Sequence, residues 1–194
     1  MKAKMTTVTK KTGGWSTVKQ NLADWSQPEL LALVKDLYEV SPANRAFINA
    51  RCQPEANSGE TVEAYRNKIV EQFYPKRGEG KLKMGEARKV IREYRKATSN
   101  VAGVAELLMT YVENGVRFTC EYGDIDERFY NSVESVLNEL ADLLRDEARE
   151  LYPTFRERLA KVEQLTDGIG WGFGDAVADT VGELENKLGR VHND

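Results

Sequence analysis

One histidine and two cysteines in 194 residues leave this chain short of the side chains on which most hydrolytic and metal chemistry depends. His192 falls where a helix end should fray, so a Ser-His-Asp or Cys-His arrangement has no well-placed base. Zinc sites built from Cys and His are likewise out of reach. Cys52 and Cys120 form no CxxC pair and are too few for a disulfide framework, which points to reduced thiols in a cytosolic protein. No apolar run approaches the roughly 18 residues of a membrane span. The opening MKAKMTTVTKKTGG has lysines but no apolar stretch behind them, so no secretory signal is expected. Strand patterning is also scarce. Val116-Arg117-Phe118-Thr119 alternates, but it is brief and sits between helical patterns.

Charge is present in quantity and unevenly placed. The net charge is only −3, with 30% charged residues. Residues 1–23 carry five lysines and no acid, whereas 65–96 hold eleven bases against four acids and 97–194 hold nine against twenty. A basic middle and an acidic C-terminal part can attract each other within the fold or between subunits. The largely acidic chain makes nucleic acid an unlikely partner overall.

Helical periodicity dominates the rest. Residues 1–14 read as a disordered basic tail, and 15–190 as a single helical domain. Ser26 is a good N-cap before Pro28, and the spacing of Leu30, Leu31, Val34, Leu37 and Tyr38 predicts one buried apolar stripe. Ser41-Pro42 opens a further short helix, giving a helical hairpin. Gln53–Gly59 is a turn-rich break, followed by a helix from Glu60 to about Tyr74. After Pro75 comes a basic loop, then a helix over about Glu86–Ala97. Thr98-Ser99-Asn100 supply a break and a cap for the next, which Gly115 should weaken. Asp126 to about Leu151 is the longest pattern, with Val133, Leu137, Leu140, Leu144 and Leu151 forming a heptad-like seam for bundle or coiled-coil packing. Pro153 interrupts, and a last helix covers about Asp175–Leu188. The fold class is all-α: a single-domain multi-helix bundle or an irregular helical-hairpin array of about eight helices.

Three segments are candidates for function. Around Gly123-Asp124-Ile125-Asp126-Glu127, the spacing of Asp124 and Glu127 matches a capping box with Asp as the cap. Asp124, Asp126 and Glu127, with Glu121 nearby, could instead gather a hard cation, although the offsets of an EF-hand are missing. A third reading is a recognition corner of Tyr111, Arg117, Asp124, Asp126, Glu127, Tyr130 and Trp171. Gly168–Asp175 (GIGWGFGD) has glycines at alternate positions, unlike a phosphate loop. It reads better as a turn burying Trp171 and Phe173, with Asp175 capping the last helix. The basic surface of Lys76, Arg77, Lys81, Lys83, Arg88 and Arg92, with Tyr74 and Tyr94 interleaved, has a composition that nucleic acid could use. A solvated helix face or pairing with the acidic part is the plainer reading. Glu106, Glu113, Glu139 and Glu147 are helical, but none belongs to a Glu-x-x-His pair, so a di-iron bundle finds no support.

The segments LADWSQPELLALVKDLYEVSPANRAFINAR (Leu22–Arg51) and LLMTYVENGVRFTCEYGDIDERFYNSVESV (Leu107–Val136), with the later IGWGFGD turn, resemble a family of small helical bacterial proteins grouped as a domain of unknown function. The resemblance touches about residues 16–188. It implies a cytoplasmic, mostly helical protein and transfers no catalytic residue. The sequence therefore leads to a non-enzymatic protein-interaction or structural module, with self-association or a protein partner expected. No cofactor, metal, membrane or small-molecule ligand is expected. The alternative is a nucleic-acid-associated protein using the 76–96 surface.

Overall fold

The computed structural model describes residues 14–52, 58–75 and 82–189. Among these, the chain forms nine α-helices, one 3₁₀ turn and no strand, so the fold is all-α. None of the helices is long and apolar enough to cross a membrane. The contacts divide the chain between Arg45 and Ala46 into two units.

The first unit holds α1 (Trp15–Leu22), α2 (Gln27–Val40) and the opening of α3 (Pro42–Cys52). Its local signals act as the sequence leads one to expect. Glu29 reaches back from the first turn of α2 to accept from the Ser26 N–H at 2.7 Å and from its hydroxyl at 2.6 Å. Those bonds hold the Glu29 carboxyl below its ordinary pKa. Ser41 accepts from the Asn44 N–H at 3.1 Å, and the Asn44 side chain donates to the Leu37 carbonyl at 2.9 Å. The α2–α3 junction is therefore closed by polar side chains. Neither α1 nor α2 buries a single residue.

The second unit is a bundle built around α6 (Val101–Tyr122). Its other elements are α4 (Ser58–Phe73), α5 (Met84–Ala97), α7 (Glu127–Asp146), a 3₁₀ turn (Arg149–Leu151), α8 (Tyr152–Thr166) and α9 (Phe173–Leu188). Helices α4, α5, α7 and α8 all pack on α6, and α9 covers α7 and α8. Gly115 does not weaken α6, which continues through it to Tyr122. A Cβ there would sit 2.6 Å from a methyl of Val133, so the glycine is what lets α7 cross α6 closely. Residues 116–119 are helical rather than extended.

The long pattern expected from Asp126 to Leu151 ends at Asp146, and the 3₁₀ turn carries the chain to α8. Pro153 stands in the first turn of α8, where its missing N–H costs nothing, so it starts that helix. Val133, Leu137, Leu140 and Leu144 are fully buried in the bundle's own core. The seam is filled by α6 and α9 and is closed to a second chain, contrary to the coiled-coil reading.

Candidate functional site

The corner between α6 and α7 is held by one phenol and one carboxylate. The Tyr130 hydroxyl, almost wholly buried, donates to Asp124 Oδ1 at 2.8 Å and accepts from the Ile125 N–H at 3.3 Å. It also lies 2.7 Å from Thr119 Oγ1. Burial, and to a lesser degree Asp124, push the Tyr130 pKa up. The second oxygen of Asp124 accepts from Trp171 Nε1 at 3.0 Å, which ties the loop before α9 to the α6–α7 turn.

That arrangement corrects the capping box expected at Asp124. The N-cap of α7 is Asp126, whose side chain accepts from the Phe129 N–H at 2.8 Å. Glu127 is the first helical residue, favourably placed at the positive end of the helix dipole. Asp124 is free to serve elsewhere because the helix starts two residues later than the Asp-x-x-Glu spacing suggests. Of the other residues expected here, Tyr111 lies inside the core, edge-on to Phe73 and 2.8 Å from Ser132 Oγ. Arg117 pairs with Glu121 at 2.6 Å and stacks over Tyr74 at 4.7 Å. The structure thus joins Asp124, Tyr130 and Trp171, with Asp126 and Glu127 adjacent in the chain, and places Tyr111 and Arg117 in other contacts.

Trp171 departs from expectation in a second way. Phe173 is buried, against Tyr130, but Trp171 is 61% exposed and has a φ of 62°. A left-handed conformation in a bulky residue costs on the order of 1–3 kcal/mol, which the indole–carboxylate bond helps offset. Gly172 also takes a positive φ and is the N-cap of α9, so Asp175 lies inside the helix instead of capping it. A Cβ on Gly174 would fall 2.5 Å from the Thr166 carbonyl oxygen. Gly168, Gly172 and Gly174 are explained by this tight α8–α9 connection. The groove beside it is lined by Glu163, Asp167 and Asp175, which would repel phosphate.

On the basic segment, Lys76, Arg77 and Lys81 lie outside the described residues, as does the tail before Gly14. Lys83 precedes α5 and is exposed, as is Arg92. Arg88 lies 3.3 Å from Ser135 Oγ and 3.9 Å from Glu139, and Arg95 binds Glu139 at 2.8 Å. Two cations of α5 are therefore directed at α7, which is the pairing of basic and acidic segments that the charge distribution suggested.

A polar network absent from the sequence reading crosses the other side of α6. Arg158 of α8 grips Glu113 through Nε at 2.8 Å and Nη2 at 2.7 Å, and reaches Glu106 at 2.6 Å. Arg66 of α4 takes the other oxygen of Glu106 at 2.7 Å. The Glu113 bonds, then those to Glu106, raise the Arg158 pKa against the opposing effect of burial. One sequence signal was available: Glu106 and Glu113 stand seven apart on one helix, hence on one face.

Among the described residues, no group of three or more His, Cys, Asp or Glu side chains is placed to hold a metal ion. No family model, curated protein or solved structure matches the chain.

Proposed function

We propose that this chain is a cytoplasmic protein-interaction module whose working surface is the apolar face of α2. One observation carries the reading. Helix α2 has the start signal, periodicity and apolar stripe of a core helix, yet buries none of its residues. Leu31 is 59% exposed and Val40 is 75% exposed. Short isolated helices are marginal in water and gain most of their stability from packing an apolar face. A contiguous apolar patch rimmed by polar residues marks an interaction site.

The test is the native mass of the full chain recovered from cells under gentle conditions. Wild type should run in an assembly heavier than the 21.9 kDa of one chain. The Leu31→Asp/Val34→Asp variant should run alone. A wild-type chain recovered only as the 21.9 kDa species would sink the reading.

A further inference from the structure

Between α5 and α7, within the bundle unit, three arginines converge on one groove. Arg88, Arg92 and Arg95 stand four and three residues apart, so α5 presents them on one face. The groove they surround holds about 140 Å³, has the buried Ile91 and Val136 as its apolar part, and contains a single carboxylate, Glu139 of α7. We propose that this groove binds a phosphate monoester, taking its terminal dianion among the three guanidiniums.

Cations on a solvated helix face need no common focus, but these have one. Glu139 binds Arg95 at 2.8 Å through one carboxylate oxygen, and Arg88 lies 3.9 Å from the other. Arg88 also donates to Ser135 Oγ at 3.3 Å. Helix α7 thus orients two of the three guanidiniums at the groove. Arg92, which falls between them on α5, has no hydrogen bond or ion pair among the described residues. An arginine left unmatched between two that are held in place offers a planar fork of free donors to an oxyanion.

Charge and size choose among anions. Three permanently charged guanidiniums against one carboxylate leave a formal +2 around the groove. A phosphate monoester carries about −1.5 to −2 at neutral pH, whereas a carboxylate, or each phosphodiester of a nucleic acid, carries a single charge. The volume is below the about 300–1,000 Å³ of a pocket that encloses a drug-sized ligand. It therefore takes the phosphoryl group and leaves the rest of the ligand outside. The neighbouring groove on the other side of Arg88 contains Glu134 and Asp142, and Asp142 pairs with Arg145. Those acids confine the anion to the side of Arg92 and Arg95.

Two-dimensional proton–nitrogen NMR of the full chain reads the arginine Nε–H signals during titration with inorganic phosphate, with ionic strength held constant by sodium chloride. Saturable shifts with a Kd of about 1 mM or tighter are expected. Arg92→Gln should weaken binding about tenfold or more, through loss of a charge-assisted pair. It breaks no internal bond, so thermal unfolding of the bundle should not move. Arg149→Gln removes the same charge from a residue outside the groove and should leave the affinity unchanged. A short phosphoserine peptide is the second probe. Tighter binding than inorganic phosphate assigns the group to a protein partner, and equal or weaker binding assigns it to a small phosphorylated compound. Shifts that never saturate, or equal weakening by the two variants, would overturn the proposal. Tighter binding of an oligonucleotide lacking a terminal phosphate would overturn it as well.

Discussion

Helices α2 and α7 are close relatives in design and opposites in outcome. Both begin at an oxygen-bearing cap, Ser26 and Asp126, and both place an acid in the first turn. Both repeat apolar residues at helical spacing. Yet α7 buries nine residues and α2 buries none. The difference lies outside the helices themselves. Helix α7 has α6 and α9 to fill its stripe, and Gly115 lets α6 come near enough to do so. Periodicity states which side of a helix wants cover, and tertiary contact decides whether the chain itself supplies it.

The largest expected effect tests that contrast directly. Leu140→Ala should cost about 2–5 kcal/mol, whereas Leu37→Ala should stay within about 0.5 kcal/mol in the isolated chain. Thermal unfolding of both variants at low protein concentration reads the difference, and equal losses would break the comparison. Alkaline titration comes next. Six tyrosines of the bundle (residues 65, 74, 94, 111, 130 and 152) have raised pKa values, chiefly through burial. A folded pKa above the unfolded value of about 10 adds stability below that pH and loses it as pH rises toward the folded value. The bundle should therefore begin to destabilise above about pH 10, followed by circular dichroism together with phenolate absorbance.

Arg158→Ala should cost about 1.5–3 kcal/mol, because Glu106 and Glu113 lose a charge-assisted partner in a half-buried setting. Arg158→Met should cost less than Arg158→Ala if the aliphatic stem also packs; an identical loss would show that the charge alone matters. The smallest effect is at the cap. Asp126→Ala should lose about 1 kcal/mol of stability by denaturant titration. Asp124→Ala leaves that cap intact, so a larger shift of the α7 amide resonances in Asp124→Ala than in Asp126→Ala would contradict the geometry.

Much of the fold was legible before any coordinates. The N-cap at Ser26, a cap within Thr98-Ser99-Asn100 and the all-α class follow from residue type and spacing alone. Asp124 was misread because its Asp-x-x-Glu spacing completes a capping box, whereas Asp126 is followed three residues later by Phe129 and caps the helix without one. Only the bonds to Tyr130 and Trp171 show which one is otherwise engaged. Gly115 was misread because a glycine inside a helical pattern signals either a break or a close crossing, and the neighbour across it is absent from the local sequence. The seam on α7 looked suited to a second chain for the same reason that α2 looked suited to the core. Trp171 was expected inside on hydrophobicity, but its backbone turns it outward and its indole nitrogen finds a carboxylate at the surface.

The chain's tryptophans carry an optical consequence. All three, Trp15, Trp25 and Trp171, are exposed, while the bundle core is furnished with tyrosine and phenylalanine. Native indole emission should therefore already sit at long wavelength and change little when the bundle melts. A blue shift would instead report cover arriving over the N-terminal helices or the Asp124 corner. The molecule thus carries its own fluorophores on the surfaces where contact with another chain would be seen, and leaves its interior dark to them.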